Sequence, residues 1–319
     1  MRFEIVKCHG SGNDFPLIDA RGVTLDETEW PVVARALADR RGAVGGDGLL
    51  LLTDYRGGIG FRMFNADGSE AETCLNGVRC VARMAFERTG VDRATLHLMN
   101  STVDVVRELD LAPGVYTVRE VAGPATLDVS TWPFHGEAHE IVERPIVRLD
   151  PMIAFTAVAM PNPHLVAFVE TIDEAALVRI GSSCEAAPDW LPNRANVSFV
   201  RALGPDTIYV RTFERGVGLT DSCGSAMAAS AFVAALTGRT SFDREVTVRN
   251  KGGLVMACAA GNGMVALSGN ATWEWEGALH VDLATGIAGD LTIAHHFNEE
   301  IAAWAMVAET SAGSVSGLP

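Results

Sequence analysis

A chain of 319 residues is long enough for two domains that each bury a core of their own. Apolar residues make up 48% and charged residues 20%, the balance of a soluble globular protein. The net charge of −15 argues against nucleic acid or an anionic membrane surface as a partner.

In chain order, Met1 to Phe15 carries Glu4, Lys7 and Asp14 and so has no secretory apolar region. Phe3 to Cys8 and Gly48 to Leu52 are apolar enough for buried strands, and Glu27 to Arg40 has helical composition. Asn65-Ala66-Asp67-Gly68-Ser69 is turn chemistry. After Cys74, Val78, Val81, Ala82, Ala85 and Phe86 fall at helical spacing and predict one buried face. After Cys223, Ala226 to Leu236 is apolar all round, predicting a helix sheathed on every side, with a stop at Leu236-Thr237-Gly238. That run is too short to span a bilayer. Phe297 to Val307 reads as helical, and the Ser/Gly-rich end from Thr310 as disordered. Six cysteines (Cys8, Cys74, Cys80, Cys184, Cys223 and Cys258) have no CxxC pair and no metal-ligand spacing. The expectation is a cytoplasmic protein with reduced thiols and no metal.

The halves match without a gap at an offset of 149 residues. Asn13 falls on Asn162, Gly46 to Leu50 on Ala195 to Phe199, Arg62-Met63-Phe64 on Arg211-Thr212-Phe213, and Cys74 on Cys223. Matches of one chemical type in one order, including a rare residue, indicate duplication rather than chance. The predicted fold is α+β: two pseudo-symmetric lobes, each a curled, mainly antiparallel sheet wrapped around a central helix. The offset sets the lobes at 1–149, carrying Cys74, and 150–285, carrying Cys223, with 286–319 as a partly disordered extension.

Each of these cysteines opens a helix. A helix N-terminus presents unpaired N–H groups and positive potential, which favour thiolate and hold a carboxylate. Two such ends facing each other would suit inversion of an amino acid, one sulfur removing the α-proton and the other delivering one to the opposite face. Cys8, Cys80, Cys184 and Cys258 read as buried small hydrophobes. A Cys–His triad would leave the duplicate cysteine unexplained.

At these residues the sequence resembles the diaminopimelate epimerase family. Asn65 to Ala71 before Cys74 is similar to its first signature, and Phe213-Glu214-Arg215-Gly216-Val217-Gly218 with Ser222-Cys223-Gly224 to its second. His9 to Phe15, Pro161-Asn162-Pro163-His164 and Asn196-Val197 are similar to three more motifs, so the likeness runs from Met1 to about Glu276. It implies a cofactor-independent isomerase acting on a small amino acid, with Cys74 and Cys223 as exchangeable base and acid. It also implies that the backbone at Leu75-Asn76 and Gly224-Ser225 holds the reacting carboxylate. Asn13, Asn65, Asn162, Asn196 and Arg215 would hold the distal end of the substrate, with Glu214 and His164 beside the reacting centre. A homodimer is implied as well.

Some positions depart from the family pattern. Leu75 stands where the family has glycine, in a place where a left-handed backbone would be strained, and its side chain would crowd the pocket. Ser225-Ala226 replaces Thr-Gly, Leu219 replaces a usual Glu, and Gly48 occupies a position that can carry a substrate-contacting side chain. LL- and meso-diaminopimelate are the expected substrates. The alternatives are a related two-cysteine racemase of another amino acid, such as histidine or a proline derivative, and a non-catalytic binding protein.

Overall fold

A computed structural model describes residues 1–132, 134–136 and 138–316. The chain runs through β1 (Arg2–Gly10), β2 (Asn13–Asp19), α1 (Trp30–Ala38), β3 (Gly48–Tyr55), β4 (Gly58–Asn65), β5 (Glu70–Ala71), α2 (Leu75–Thr89), β6 (Arg93–His97), β7 (Thr102–Glu108) and β8 (Thr117–Ala122). It continues through β9 (Arg144–Ile146), β10 (Asp150–Ala159), β11 (Pro163–Phe168), α3 (Glu174–Glu185), β12 (Asn196–Gly204), β13 (Thr207–Glu214), β14 (Gly218–Thr220), α4 (Gly224–Leu236), β15 (Glu245–Asn250), β16 (Gly253–Ala259) and β17 (Val265–Asn270). It then passes through β18 (Thr272–Asp282), β19 (Ile287–His296) and α5 (Asn298–Ser316). The class is α+β, as the sequence predicts.

Strand pairing repeats along with the sequence. β1 and β10 pair antiparallel with β2 and β11, which pair parallel with β3 and β12. β4 and β13 then take three neighbours of the same kind: β3 and β12 antiparallel, β5 and β14 antiparallel, β6 and β15 parallel. Each central helix packs on the corresponding set of strands, α2 on β1, β2, β3, β4, β6 and β7, and α4 on β10, β11, β12, β13, β15 and β16. The offset of 149 carries β4 onto β13 and the start of α2 onto the start of α4 without a slip.

Contacts divide the chain into two compact units, one of Met1–Glu120 with Ser268–Glu309, the other of Val121–Leu267 with the chain from Thr310. This corrects the expected boundaries at 149 and 285. The offset marks where the second copy is numbered from, whereas packing decides where a residue belongs. Val129, Trp132, Phe134, Ile141, Ile146 and Leu149 join the core of the second unit, with Phe155, Leu165 and Leu177. β18 belongs to the first unit because it pairs with β1 from Arg2 to His9.

The expected extension is also corrected. β19 pairs with β18, and α5 runs to Ser316, so the disorder expected from Thr310 is not found through that residue; residues 317–319 lie outside those described. Within the first unit, Glu300 receives two bonds from Arg83, whose guanidinium lies 4.3 Å from the Tyr116 ring centre and 4.2 Å from that of Trp273. Alanine-rich composition favours the helix, and such a charge-paired, ring-sandwiched contact fixes it. In the second unit Ser311 is buried and donates to the carbonyls of Asn250 and Gly253.

The two central helices differ in what they bury. α4 carries no charged residue and is buried from Ala226 to Ala235. α2 buries the expected face and, beyond expectation, Arg79 and Arg83 as well. No described helix is long and apolar enough to cross a membrane.

Candidate active site

In the first unit, Cys74 sits in extended backbone (φ −151°, ψ 102°) as the N-cap of α2, and its carbonyl accepts the first helical bond from the Val78 N–H at 2.8 Å. The helix has no acidic residue in its first turn, so its positive end is not offset locally. Leu75 is the first helical residue and is absent from the positive-φ positions, so the strain expected there does not arise. Its side chain is buried.

The Cys74 sulfur donates to Asn13 Oδ1 at 3.6 Å, and Asn76 Nδ2 donates to the same oxygen at 3.5 Å. Asn13 Nδ2 in turn donates to Asp47. Asn13, expected at the distal end of the substrate, therefore lies against the thiol. Around Asn13 the polar groups are ionic: Asp14 is paired with Lys7 and Arg40, and Asp47 with Arg40.

Behind Asn76 stands a group that sequence reasoning missed. Arg79 is fully buried and donates to Asn76 Oδ1 (2.8 Å), Ser11 Oγ (3.1 Å), the Asn270 carbonyl (3.1 Å) and Glu120 Oε1 (2.7 Å). Burial holds the Glu120 carboxyl up at about 7 although Arg79 pulls it back down. The Arg79 contacts fix the Asn76 amide so that its NH2 faces Asn13. The close approach of β1 to this turn requires Gly10, since a Cβ there would collide with the Asn76 carbonyl.

Asn65 and Gly48 face each other in register across β3 and β4. Asn65 makes the turn bonds expected of its type: its N–H donates to the Ser69 carbonyl, its carbonyl accepts from Gly68 N–H, and its Nδ2 donates to Ser69 Oγ. Gly48 is buried, and a Cβ there would fall on the Phe64 carbonyl oxygen. In this chain a side chain at that position would require a backbone shift.

In the second unit, Cys223 repeats the arrangement as the extended N-cap (φ −133°, ψ 114°) of α4, with the Met227 N–H donating to its carbonyl at 3.0 Å. Its sulfur lies 3.5 Å from Ser225 Oγ. Asn250 Nδ2 fixes the preceding residue through Ser222 Oγ at 3.1 Å. Gly224 and Ser225 open the helix, as Leu75 and Asn76 do in the first unit.

The amides of this unit form a chain without ion pairs. His164 Nε2 lies 2.9 Å from Asn162 Oδ1 and 3.4 Å from Asn196 Nδ2, and Asn196 Oδ1 accepts the Arg215 backbone N–H at 2.8 Å. His164 is completely buried. Burial, with the Arg215 charge adding, pushes its pKa down to about 3, so the ring is neutral at pH 7. Glu214 ends β13 beside Arg215. Glu185 holds the following turn by accepting the Gly216 N–H at 3.1 Å. The Arg215 guanidinium is bonded to the Asn193 carbonyl at 2.9 Å.

Each unit thus sets a thiol and outward-pointing backbone N–H groups at one helix end, an arrangement able to exchange a proton and hold a carboxylate. The architecture is that of solved structures of low sequence likeness. A phenazine biosynthesis protein of the PhzF family from Bacillus anthracis superposes with a TM-score of 0.65 at 14% identity, covering 88% of this chain and 100% of that one. A probable proline racemase from Agrobacterium radiobacter gives 0.59 at 14%, covering 88% and 93%. At that identity the likeness defines the fold class alone. Sequence carries the assignment further: the diaminopimelate epimerase family model matches residues 5–108 and 156–274. The diaminopimelate epimerase of Clostridium acetobutylicum is 38% identical over 293 residues, 88% of this chain and 87% of that protein. That of Enterococcus faecalis is 37% identical over 308 residues, 92% and 94%. The chain belongs to the diaminopimelate epimerase family.

Proposed function

We propose that this chain is a diaminopimelate epimerase, an isomerase that interconverts LL- and meso-2,6-diaminopimelate and so feeds lysine and peptidoglycan synthesis. The observation that carries this reading is the repeat-related placement of Cys74 and Cys223, each the N-cap of its unit's central helix. As a thiolate, one sulfur takes the α-proton, and the electron pair left on the α-carbon delocalises into the substrate carboxylate. The other sulfur, as a thiol, gives a proton to the opposite face. The two protonation states are exchanged after a turnover and reset through solvent. Helix-end N–H groups at Leu75-Asn76 and Gly224-Ser225 hold the carboxylate as its charge grows. Glu214 takes the α-amino group. Neutral His164 serves as a hydrogen-bonding support for Asn162 and Asn196, because a ring with so low a pKa is a poor cation at neutral pH.

The distal amino-acid end needs its own partners, since buried unpaired charge is costly. Arg215 takes the distal carboxylate, with Asn65, Asn162 and Asn196 filling the remaining bonds. Incubation in D2O with LL- and meso-diaminopimelate, and with histidine and proline for comparison, tests the reading. α-Deuteration and epimerisation of diaminopimelate alone is the expected result. Preference for a monocarboxylic amino acid would overturn the substrate and leave the two-thiol chemistry standing. Absence of exchange with every substrate would make the chain a binding protein.

A further inference from the structure

Among the residues that the repeat matches and the proposed chemistry does not use are two arginines, Arg62 on β4 and Arg211 on β13. Each stands three positions before the end of its strand, where Asn65 and Glu214 lie. The chain then turns, returns as β5 or β14, and reaches its cysteine within three residues. The return strands are short, with two and three paired residues, so their ladder alone is a weak tether.

In both units the arginine supplies the missing hold. Arg62 grips Glu70, the first residue of β5, through Nε (2.7 Å) and Nη2 (3.0 Å), and reaches Glu27 ahead of α1 at 2.7 Å. Arg211 donates through Nη1 to the carbonyl of Thr220, the last residue of β14, at 2.8 Å. Its Nε donates to Glu174, the first residue of α3, at 2.6 Å. Strand, return strand and a third segment, the lead-in to α1 in the first unit and the start of α3 in the second, are thereby tied at one guanidinium. A planar fork suits this task and a lysine ammonium does not.

We propose that Arg62 and Arg211 are positioning residues, one for each thiol, that fix the loop delivering Cys74 or Cys223 to its helix end. The inference rests on the reading of both cysteines as the proton-transfer groups. The two clamps are not equal. Arg211 is 3% exposed and holds main chain two residues before Ser222, whereas Arg62 is 24% exposed and holds a side chain. Loss of Arg211 therefore does the greater damage.

The test uses full-length Arg62→Gln and Arg211→Gln proteins, with Arg62→Lys and Arg211→Lys as milder forms that keep the charge. kcat and KM are measured together with the pH dependence of iodoacetamide alkylation at each cysteine, resolved by peptide mapping. Arg211→Gln is expected to lower kcat about 10- to 100-fold, a loss in keeping with a displacement of about 1 Å, with KM changed less than about 3-fold. It shifts the alkylation profile of Cys223 and leaves that of Cys74 as in wild type. Arg62→Gln does the reverse, with a loss of roughly 3- to 10-fold. If a Gln variant does not fold, the Lys variant is read by the same crossover. Both profiles moving together, or neither moving while Tm falls, would reduce the arginines to general structural ties. Cys74→Ala or Cys223→Ala with wild-type turnover would sink the proton-transfer reading instead, and the alkylation profiles would still report on positioning.

Discussion

The two units share a backbone plan and differ in their polar groups. Strand order, the two parallel pairings and the cysteine at the N-cap recur, while the residues behind the thiol do not. Asn13 is embedded in a cluster of Lys7, Asp14, Arg40 and Asp47, and Asn162 in a chain of amides around a neutral imidazole. In α2, Arg79 and Arg83 occupy the positions that Ala228 and Phe232 fill in α4. Duplication kept what places a sulfur and a set of N–H groups, and the surroundings diverged. A substrate whose two ends must be treated differently needs such an outcome.

The largest effect should come from what the units share. Cys74→Ala and Cys223→Ala are each expected to abolish epimerisation, since positioned acid–base groups contribute about 10²–10⁴-fold apiece, while circular dichroism and Tm stay near wild type. Wild-type turnover in either variant would break the equivalence of the two cysteines.

What the units do not share comes next. Glu120→Ala leaves Arg79 buried without its carboxylate and should cost about 3–5 kcal/mol in chemical denaturation. Ala228→Gly, at the matching place in α4, should cost about 1 kcal/mol. Equal losses at the two sites would mean that the ionic pair is not what sets the first unit apart.

Arg215→Ala tests the second unit's own contribution. Removing one charge-assisted bond to the distal carboxylate should lower kcat/KM for diaminopimelate by roughly one to two decades, or about 1.5–3 kcal/mol. An unchanged kcat/KM would remove Arg215 from the substrate.

The smallest effect is a pH slope. The unfolded chain takes up a proton on His164 near the ordinary value of 6.5, and the folded chain refuses it until about 3. The folded-state pKa is lowered, so the contribution is complete above pH 6.5 and is lost as pH falls toward 3, at roughly 1.4 kcal/mol per pH unit. His164→Asn should flatten urea-denaturation stability between pH 6.5 and 5, because His9, which burial pushes down to about 4, and Glu120, held up at about 7, act in opposite directions over that window. A slope unchanged by that substitution would count against the buried neutral ring.

Much of the architecture was legible in the sequence because a repeat is a comparison the chain makes with itself. Cys74 and Cys223, the helices they open and the turn at Asn65 could be read from local chemistry. Boundaries could not, because β18 joins β1 across some 270 residues, and no local pattern carries that pairing. Arg79 and Arg83 were hidden for a related reason. Charged residues are buried only when paired, and their partners Glu120 and Glu300 lie 41 and 217 positions away. The tail was misread because its Ser and Gly content outweighed its alanines, while its anchors, Trp304 and Ser311, act only through tertiary contacts. For the site, residue type gave away Asn13 as a polar contact. Only geometry shows that it faces the sulfur.

The division of the chain also sets an order of events during synthesis. All the strands from β9 to β16 lie in one continuous stretch, so they can pair with one another as soon as that stretch has left the ribosome. The first unit has no such freedom. Its β1 is made at the outset, yet the strand that covers one of its edges begins at Thr272, so that edge stays open while about 270 residues are added. An uncovered strand edge is where chains associate wrongly. A nascent chain halted before Thr272 should therefore display the strands of the second unit paired, short only of the contacts made by the chain from Thr310, beside an incomplete first unit.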